Sequence, residues 1–299
     1  MSGNTAIEWT DRTWNPLTGC TKVSPGCDHC YAKTMHERFN GPGSFDTVTL
    51  HPERLRQPSS WRKPSMVFVN SMSDLFHQDV PDEYIADVFA AMALAPQHTF
   101  QLLTKRHARM RSLLSSARWP ELLTRDPNVW PSDLDPERPL DNVWLGVSVE
   151  NQQWADIRIP ALLDTPAAIR FLSCEPLLGP IDLTQVLHDY EPGSQHPWLR
   201  DSFGRESMLR FRDILHWVIV GGESGRGARP MEVEWARALR DQCQAAGVPF
   251  LFKQWGEYGP MGWQVSGTSD GPLLRMGKKN AGRQLDGRTW DEYPQQVTA

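Results

Sequence analysis

The chain is poor in cysteine, holds no long apolar run and has no surplus of basic residues. Only five of its 299 residues are Cys, too few and too unevenly placed for a disulfide framework. No apolar stretch approaches the roughly 20 residues that a membrane span needs, so no membrane is expected among its partners. The opening residues, MSGNTAIEWTDRTW, lack the basic start and apolar centre of a secretory signal. That makes the cytoplasm the expected compartment, where clustered cysteines hold metal more often than they form disulfides. A net charge of −5 excludes bulk coating of nucleic acid, though not a local basic groove. Neither G-x-G-x-x-G nor G-x-x-x-x-G-K-[ST] follows any strand-like run, which argues against the two commonest nucleotide cradles.

What is present points to an alternating α/β chain. Short apolar runs bounded by turn residues recur at 66–71, 99–104, 142–149, 169–174, 216–222 and 249–255, each with the length and β-branched or aromatic bias of a buried strand. Helical patterns lie between several of them, at 82–95, 105–117, 151–163 and 231–247. The last places Trp235, Leu239, Cys243 and Ala246 on one face and ends at Gly247, a helix C-cap. Alternation of this kind implies parallel strands joined by crossovers, either in an open doubly wound sheet or in a partial or full (β/α) TIM-like barrel. Polar residues just past the strand ends favour the barrel, whose chemistry gathers at the carboxyl ends of its strands.

The expected organisation is a barrel domain over 1–255, with a cysteine loop at 19–31 and an irregular insertion at about 188–213. A C-terminal extension, 256–299, is expected to pack on it.

The polar strand-end residues are the candidate site. Ser71, Ser73 and Asp74 follow one run, Lys105 and Arg106 the next, then Ser148 and Glu150, Ser173 and Glu175, Glu223 and Ser224, and finally Lys253 and Gln254. Period-two alternation in WLGVSVEN puts Trp144, Gly146, Ser148 and Glu150 on one face, expected to line the interior. By the same reasoning Cys174 turns toward the helices and, with Cys243, is a small core residue. Lys105 and Lys253 are read either as partners for an anionic ligand group or as partners for Glu150 and Glu175. The glycines of GGESG either let the backbone approach a ligand or form a plain tight turn.

Three of the five thiols, Cys20, Cys27 and Cys30, fall within NPLTGCTKVSPGCDHCYA with the spacing C-x6-C-x2-C. Soft thiolates select zinc or an iron–sulfur cluster over hard cations. A structural zinc needs a fourth ligand, for which His29 and His36 are at hand. A four-iron cluster held by three cysteines leaves one iron open to a small molecule.

Three cysteines on a loop after the first strand of a partial barrel resemble the radical S-adenosylmethionine enzymes, although the usual spacing there is C-x3-C-x2-C. Over nearly the whole chain, segments such as IEWTDRTWNPLTGCTKVSPGCDHCYA, FVNSMSDLFH, NVWLGVSVENQ, WVIVGGESGRGARPM and GVPFLFKQWGE resemble a family of phage and prophage proteins with a three-cysteine motif, regarded as radical-S-adenosylmethionine-like. The resemblance implies a [4Fe-4S] cluster on Cys20, Cys27 and Cys30, with S-adenosylmethionine as small-molecule cosubstrate. From their places at the strand ends, Ser71, Ser73, Asp74, Ser148, Gly221 and Gly222 are the candidates for binding that cofactor, and Glu150, Glu175, Glu223, Lys105 and Lys253 for catalysis; only the Ser71, Ser73 and Asp74 turn also resembles one in the radical enzymes. The family resemblance further implies a nucleotide or nucleic-acid base as substrate and a three-Cys-motif partner protein.

Two other functions remain open on sequence alone. One is a zinc-stabilised binding protein acting with a partner. The other is a barrel hydrolase whose strand-end carboxylates serve as acid and base.

Overall fold

A computed structural model describes residues 5–126, 130–132, 134–184, 214–261, 269 and 271–295. The expected insertion at 188–213 lies outside the described residues. The main sheet has seven parallel strands in sequential order: β1 (Arg12–Trp14), β2 (Met66–Val69), β3 (Thr99–Thr104), β4 (Val143–Ser148), β5 (Ile169–Cys174), β6 (Trp217–Gly221) and β7 (Phe250–Gln254). The outermost strands, β1 and β7, are not paired with each other. The fold is therefore α/β in its open, partial-barrel form. Six strands fall on the six apolar runs. The seventh, RTW, is only three residues long and carries no apolar run to announce it.

Main-chain contacts divide the chain into two compact units, residues 1–146 with 164–169, and residues 147–163 with 170–299.

In the first unit β1 pairs with β2 from Arg12↔Val67 to Trp14↔Val69, and β2 with β3 from Met66↔Thr99 to Val69↔Leu102. That register sets Trp14 and Phe100 on one face of the sheet, their ring centres 5.8 Å apart. Thr13, Phe68 and Gln101 share the other. The helices here are α1 (Tyr31–Asn40), α2 (Asp82–Ala93), α3 (His107–Leu114) and α4 (Arg118–Thr124). Helix α2 buries nine of its twelve residues, so packing rather than intrinsic propensity fixes it. Helix α1 buries only Ala32. Its Tyr31, Met35 and Phe39, spaced four apart on one face, are exposed.

In the second unit β6 runs beside β5 and β7, with a bulge between Val220 and Gly221. Every residue of β4, β5 and β6 is buried, as parallel strands covered on both faces require. Both faces of the alternation predicted along WLGVSVEN are therefore covered. Helix α5 (Gln152–Leu163) holds Arg158, which is wholly buried. Helix α6 (Val233–Ala246) ends at Gly247, in the left-handed conformation at φ 70°. Its buried face is Val233, Ala236, Leu239 and Cys243. Trp235 and Ala246, expected on that face, are only partly covered. Cys174 and Cys243 are both core residues, and burial pushes both thiols up from their usual range.

The C-terminal segment runs along the free side of β7. Phe252 N–H donates to the Trp290 carbonyl, Glu292 N–H donates to the Phe250 carbonyl, and Leu251 bridges Asp291 antiparallel. The segment includes a hairpin pairing Gln284–Leu285 with Arg288–Thr289. Its turn is Asp286–Gly287, both at positive φ, 53° and 71°. An Asp-Gly pair with two left-handed residues matches the twist of a two-residue hairpin. Arg237 and Arg240 of α6 donate to Asp286 at 2.6 Å each. The hydrogen bonds from Arg237, followed by those from Arg240, outweigh burial and hold its carboxyl at about 2 instead of 3.8.

A carboxyl depressed in this way stabilises the fold above its unfolded value, and the gain is lost as pH falls from about 4 toward 2. D286N keeps the turn conformation but removes the charge. It should lower unfolding free energy by roughly 1–2 kcal/mol near neutral pH, with the gap to wild type closing in strong acid. Denaturant titrations across pH check this.

Candidate functional site

The cysteine loop is built on the exits of β1 and β2. After β1 the chain passes through Leu17–Thr18, paired antiparallel with Thr49–Leu50, and reaches Gly19. Gly19 N–H donates to the Met72 carbonyl at 3.1 Å. Gly19 sits at φ 93°, and a Cβ there would fall 2.0 Å from the Thr47 carbonyl oxygen, so only glycine fits. Cys20 N–H then donates to the Phe45 carbonyl at 2.8 Å. A 3-10 turn, Pro25–Cys27, carries the second thiol, and Cys30 is the N-cap of α1.

All three thiols are half-buried and free of disulfides. Burial first, and the negative charge of Asp74 second, push the Cys20 thiol up to about 12, while Arg106 opposes the shift.

Among the described residues, no three His, Cys, Asp or Glu side chains cluster closely enough to hold one ion. A tetrahedral zinc keeps its sulfurs just under about 4 Å apart, whereas a cluster binds each thiolate through a different iron and spreads them wider. His36, one of the fourth ligands considered for zinc, packs against Phe45 with ring centres 5.6 Å apart. Three soft, unpaired thiols on one loop suit a cluster by the chemistry of the donor set.

The residues after β2 and β3 surround this loop, mostly as its scaffold. Ser71 shares hydrogen bonds with Asn15, whose Oδ1 also accepts from Met72 N–H at 2.9 Å. Ser73 Oγ donates to the Leu17 carbonyl at 2.9 Å. Asp74 is buried, its Oδ1 accepting from Thr104 Oγ1 at 2.7 Å and Phe76 N–H at 3.0 Å, and its Oδ2 from Lys105 N–H at 3.1 Å. Ser73 and Asp74, expected to bind cofactor, thus spend these bonds on joining strand ends. Lys105 is fixed through its backbone to Asp74.

Two neighbours meet the cysteine loop at Thr21. Arg106 Nη2 donates to Thr21 at both the carbonyl (3.1 Å) and Oγ1 (2.8 Å). His77, wholly buried, contacts Thr21 Oγ1 through Nε2 at 2.8 Å.

Asn70 is a residue that the sequence reading missed. It ends β2 at φ 60° and is 4% exposed. Neither its Oδ1 nor its Nδ2 has a hydrogen-bond partner among the described residues. Leaving a buried polar group unmet costs about 1–3 kcal/mol, and left-handed backbone adds strain. Both costs fall on one side chain at the exit of β2. The sequence signal was an Asn directly after an apolar strand, since Asn tolerates the left-handed region better than most residues.

The second unit carries the other candidates. Glu150 Oε2 accepts from Arg158 Nη1 at 2.9 Å, and the same Nη1 donates to the Ser148 carbonyl at 2.7 Å. Both partners of that ion pair have no exposure. Glu175 takes Lys253 Nζ on both oxygens, at 2.7 and 2.9 Å, and Gln254 Nε2 on Oε1 at 3.2 Å. Lys253 thus pairs with Glu175, one of the two roles foreseen for it. Glu223 is clamped by Arg229, from Nε at 2.9 Å and Nη2 at 2.7 Å.

Gly221 and Gly222 of GGESG lie close against neighbouring chain. A Cβ on Gly222 would lie 1.9 Å from the Trp255 carbonyl oxygen, and one on Gly221 3.3 Å from the Glu175 carboxyl carbon. Gln254, 3% exposed, also donates through Nε2 to Ser224 Oγ at 3.2 Å, and its Oε1 has no partner among the described residues.

A family model described as a protein of unknown function, DUF5131, matches residues 4–294. The chain belongs to that family. The match runs through both units and the C-terminal segment of this DUF5131 protein. None of the curated proteins matches it. Three solved chains of spore photoproduct lyase are similar at 11% identity over 82% of the DUF5131 chain. One is complexed with dinucleoside spore photoproduct, at a TM-score of 0.42. A variant with bound AdoMet and that dinucleoside gives 0.40, and another variant 0.43. The DUF5131 chain spans 64% of the length of the first two and 75% of the third.

The ion pair of Glu150 with Arg158 separates a structural from a catalytic role. Removing one member of a buried pair leaves an uncompensated charge, at a cost of about 3–5 kcal/mol. E150A should therefore lower unfolding free energy by about 3 kcal/mol in denaturant titration. A carboxylate serving only in catalysis would leave stability unchanged.

Proposed function

We propose that this DUF5131 protein is a radical S-adenosylmethionine enzyme. The observation that carries the reading is the presentation of three free thiols on one loop, after the first strand of an open parallel (β/α) sheet. Cys20, Cys27 and Cys30 would hold a [4Fe-4S] cluster. When bound, such a cluster supplies one electron to the sulfonium of S-adenosylmethionine, whose C–S cleavage gives methionine and a 5′-deoxyadenosyl radical.

The chain's own residues then bind and orient. Asn70 presents one amide donor and one acceptor with no internal partner, which suits the carboxylate and ammonium of the methionyl group. Ser71, adjacent to it, offers a hydroxyl already aligned by Asn15. In the second unit, Gln254 Oε1 is a buried acceptor with no partner among the described residues. Lys253 Nζ donates to both oxygens of Glu175. A nucleotide or a base in DNA or RNA is the substrate class that the family resemblance implies, and is the first to assay.

The hydrolase alternative needs two carboxylates free to exchange a proton. Glu150, Glu175 and Glu223 are each tied to a cation instead, which supports the radical reading over it.

Protein purified without oxygen should contain iron and sulfide in equal amounts and show a broad absorption near about 400 nm, the charge-transfer mark of such clusters. C27A should lose both, together with any 5′-deoxyadenosine formed from S-adenosylmethionine and dithionite. Zinc in a colourless protein would overturn the proposal. N70G removes the side chain and relieves the left-handed strain, so it should leave thermal stability equal or higher while weakening S-adenosylmethionine binding at least tenfold in calorimetry. Wild-type affinity in N70G would take Asn70 out of the site.

A further inference from the structure

The loop around Cys20 is held from outside by one cation. Arg106 leaves the end of β3, beyond Thr104, and its Nη2 donates to the carbonyl oxygen of Thr21 at 3.1 Å and to the hydroxyl of Thr21 at 2.8 Å. The Cys20 thiol points at the same Thr21 carbonyl oxygen, 3.5 Å away. Guanidinium and sulfur therefore converge on one backbone atom. His77 Nε2 meets the Thr21 hydroxyl from another side at 2.8 Å, and Asp79 N–H donates to its Nδ1 at 3.2 Å. That second bond leaves the proton on Nε2, so His77 donates to Thr21 as well. Arg106 alone brings a permanent charge. The opposing pulls on the Cys20 thiol, from Asp74 one way and Arg106 the other, agree with this proximity.

We propose that Arg106 is a positioning residue for the metal group: it locks the Thr21 peptide so that Cys20 is presented in one orientation, and its charge beside that sulfur favours the reduced state of the cluster. Charge and hydrogen bonding near the sulfurs are among the main determinants of a cluster's potential. Reduction adds negative charge, and a fixed cation nearby stabilises it. The inference rests on the cluster reading only for its second half, since the locking of the loop is a property of the polypeptide.

The test uses the full chain as wild type, R106M and R106K, each prepared metal-free and iron-loaded. In the metal-free proteins, amide hydrogen exchange of peptides covering Cys20–Lys22 should be at least tenfold faster in R106M, with peptides of β2 and β3 unchanged. In the iron-loaded proteins, a redox titration followed by electron paramagnetic resonance should place R106M at a lower potential. A tenfold change in the one-electron equilibrium corresponds to 59 mV. R106K, which keeps the charge and loses the fork, should stay near wild type in potential.

Wild-type exchange in R106M overturns the locking, and an unchanged potential in R106M with full iron overturns the electrostatic effect. If R106M loses protection throughout, R106K reads the local rate: faster exchange confined to Cys20–Lys22 upholds the inference, and wild-type exchange overturns it. A wild type that takes up no iron defeats the cluster reading, while the exchange comparison still decides whether Arg106 locks the loop.

Discussion

The candidate site depends on one seam, the hydrogen bonding between the segments that leave β1 and β2. Gly19 to Met72, Ser73 to Leu17 and Asn15 to Ser71 and Met72 bind the two exits side by side. Tyr31 Oη adds a bond to the Ser71 carbonyl at 2.7 Å, tying the first turn of α1 to the same place. Each contact joins residues roughly 40 to 57 apart in sequence, so the sheet must form before the loop acquires its shape. The thiols inherit their positions from that seam. Glycine at residue 19 is its tightest point, where the backbone of Thr47 leaves no room for a side chain.

Polar residues at the ends of parallel strands have two uses, and the chain divides them. Asp74, Ser73 and Glu150 are consumed in joining neighbouring segments, as buried polar groups must be when water is excluded. Among the described strand-end residues, Asn70, Gln254 and Arg106 depart from that rule, each keeping a buried polar atom without an internal partner. A protein tolerates such a deficit where a bound molecule completes the bonding, and natural sequences concentrate local conflicts at functional sites. These exceptions therefore say more about function than the strand-end residues whose bonds are all met within the chain.

The sheet was legible because six of its strands are continuous apolar runs bounded by turns, and β-branched residues in such runs have little choice but burial. β1 was not, since Arg12 and Thr13 give RTW no apolar pattern and a three-residue strand makes none. Helix α1 was missed for a similar reason: it buries a single alanine, so no period survives in its sequence. In α6 the period was read correctly and its phase slightly wrong, because Trp235 looked like a core residue and Val233 and Ala236 filled that place. Within the site, the cysteines and strand-end polar residues could be named from spacing alone. Their partners could not. Arg158 for Glu150, Arg229 for Glu223 and Arg106 for Thr21 are fixed by where helices and turns return, which no local pattern encodes. Asn70 went unnoticed because its peculiarity is conformational.

The segment beyond Trp255 closes the last strand against the outside. A parallel sheet that stops at β7 would offer a row of unmet amides to any extended chain that came near. Trp290, Asp291 and Glu292 occupy that row. A shortened chain ending near residue 255 would keep its seven strands yet acquire an adhesive border, and would tend to assemble with itself through it. The Arg237–Asp286–Arg240 contact fastens this cover to α6.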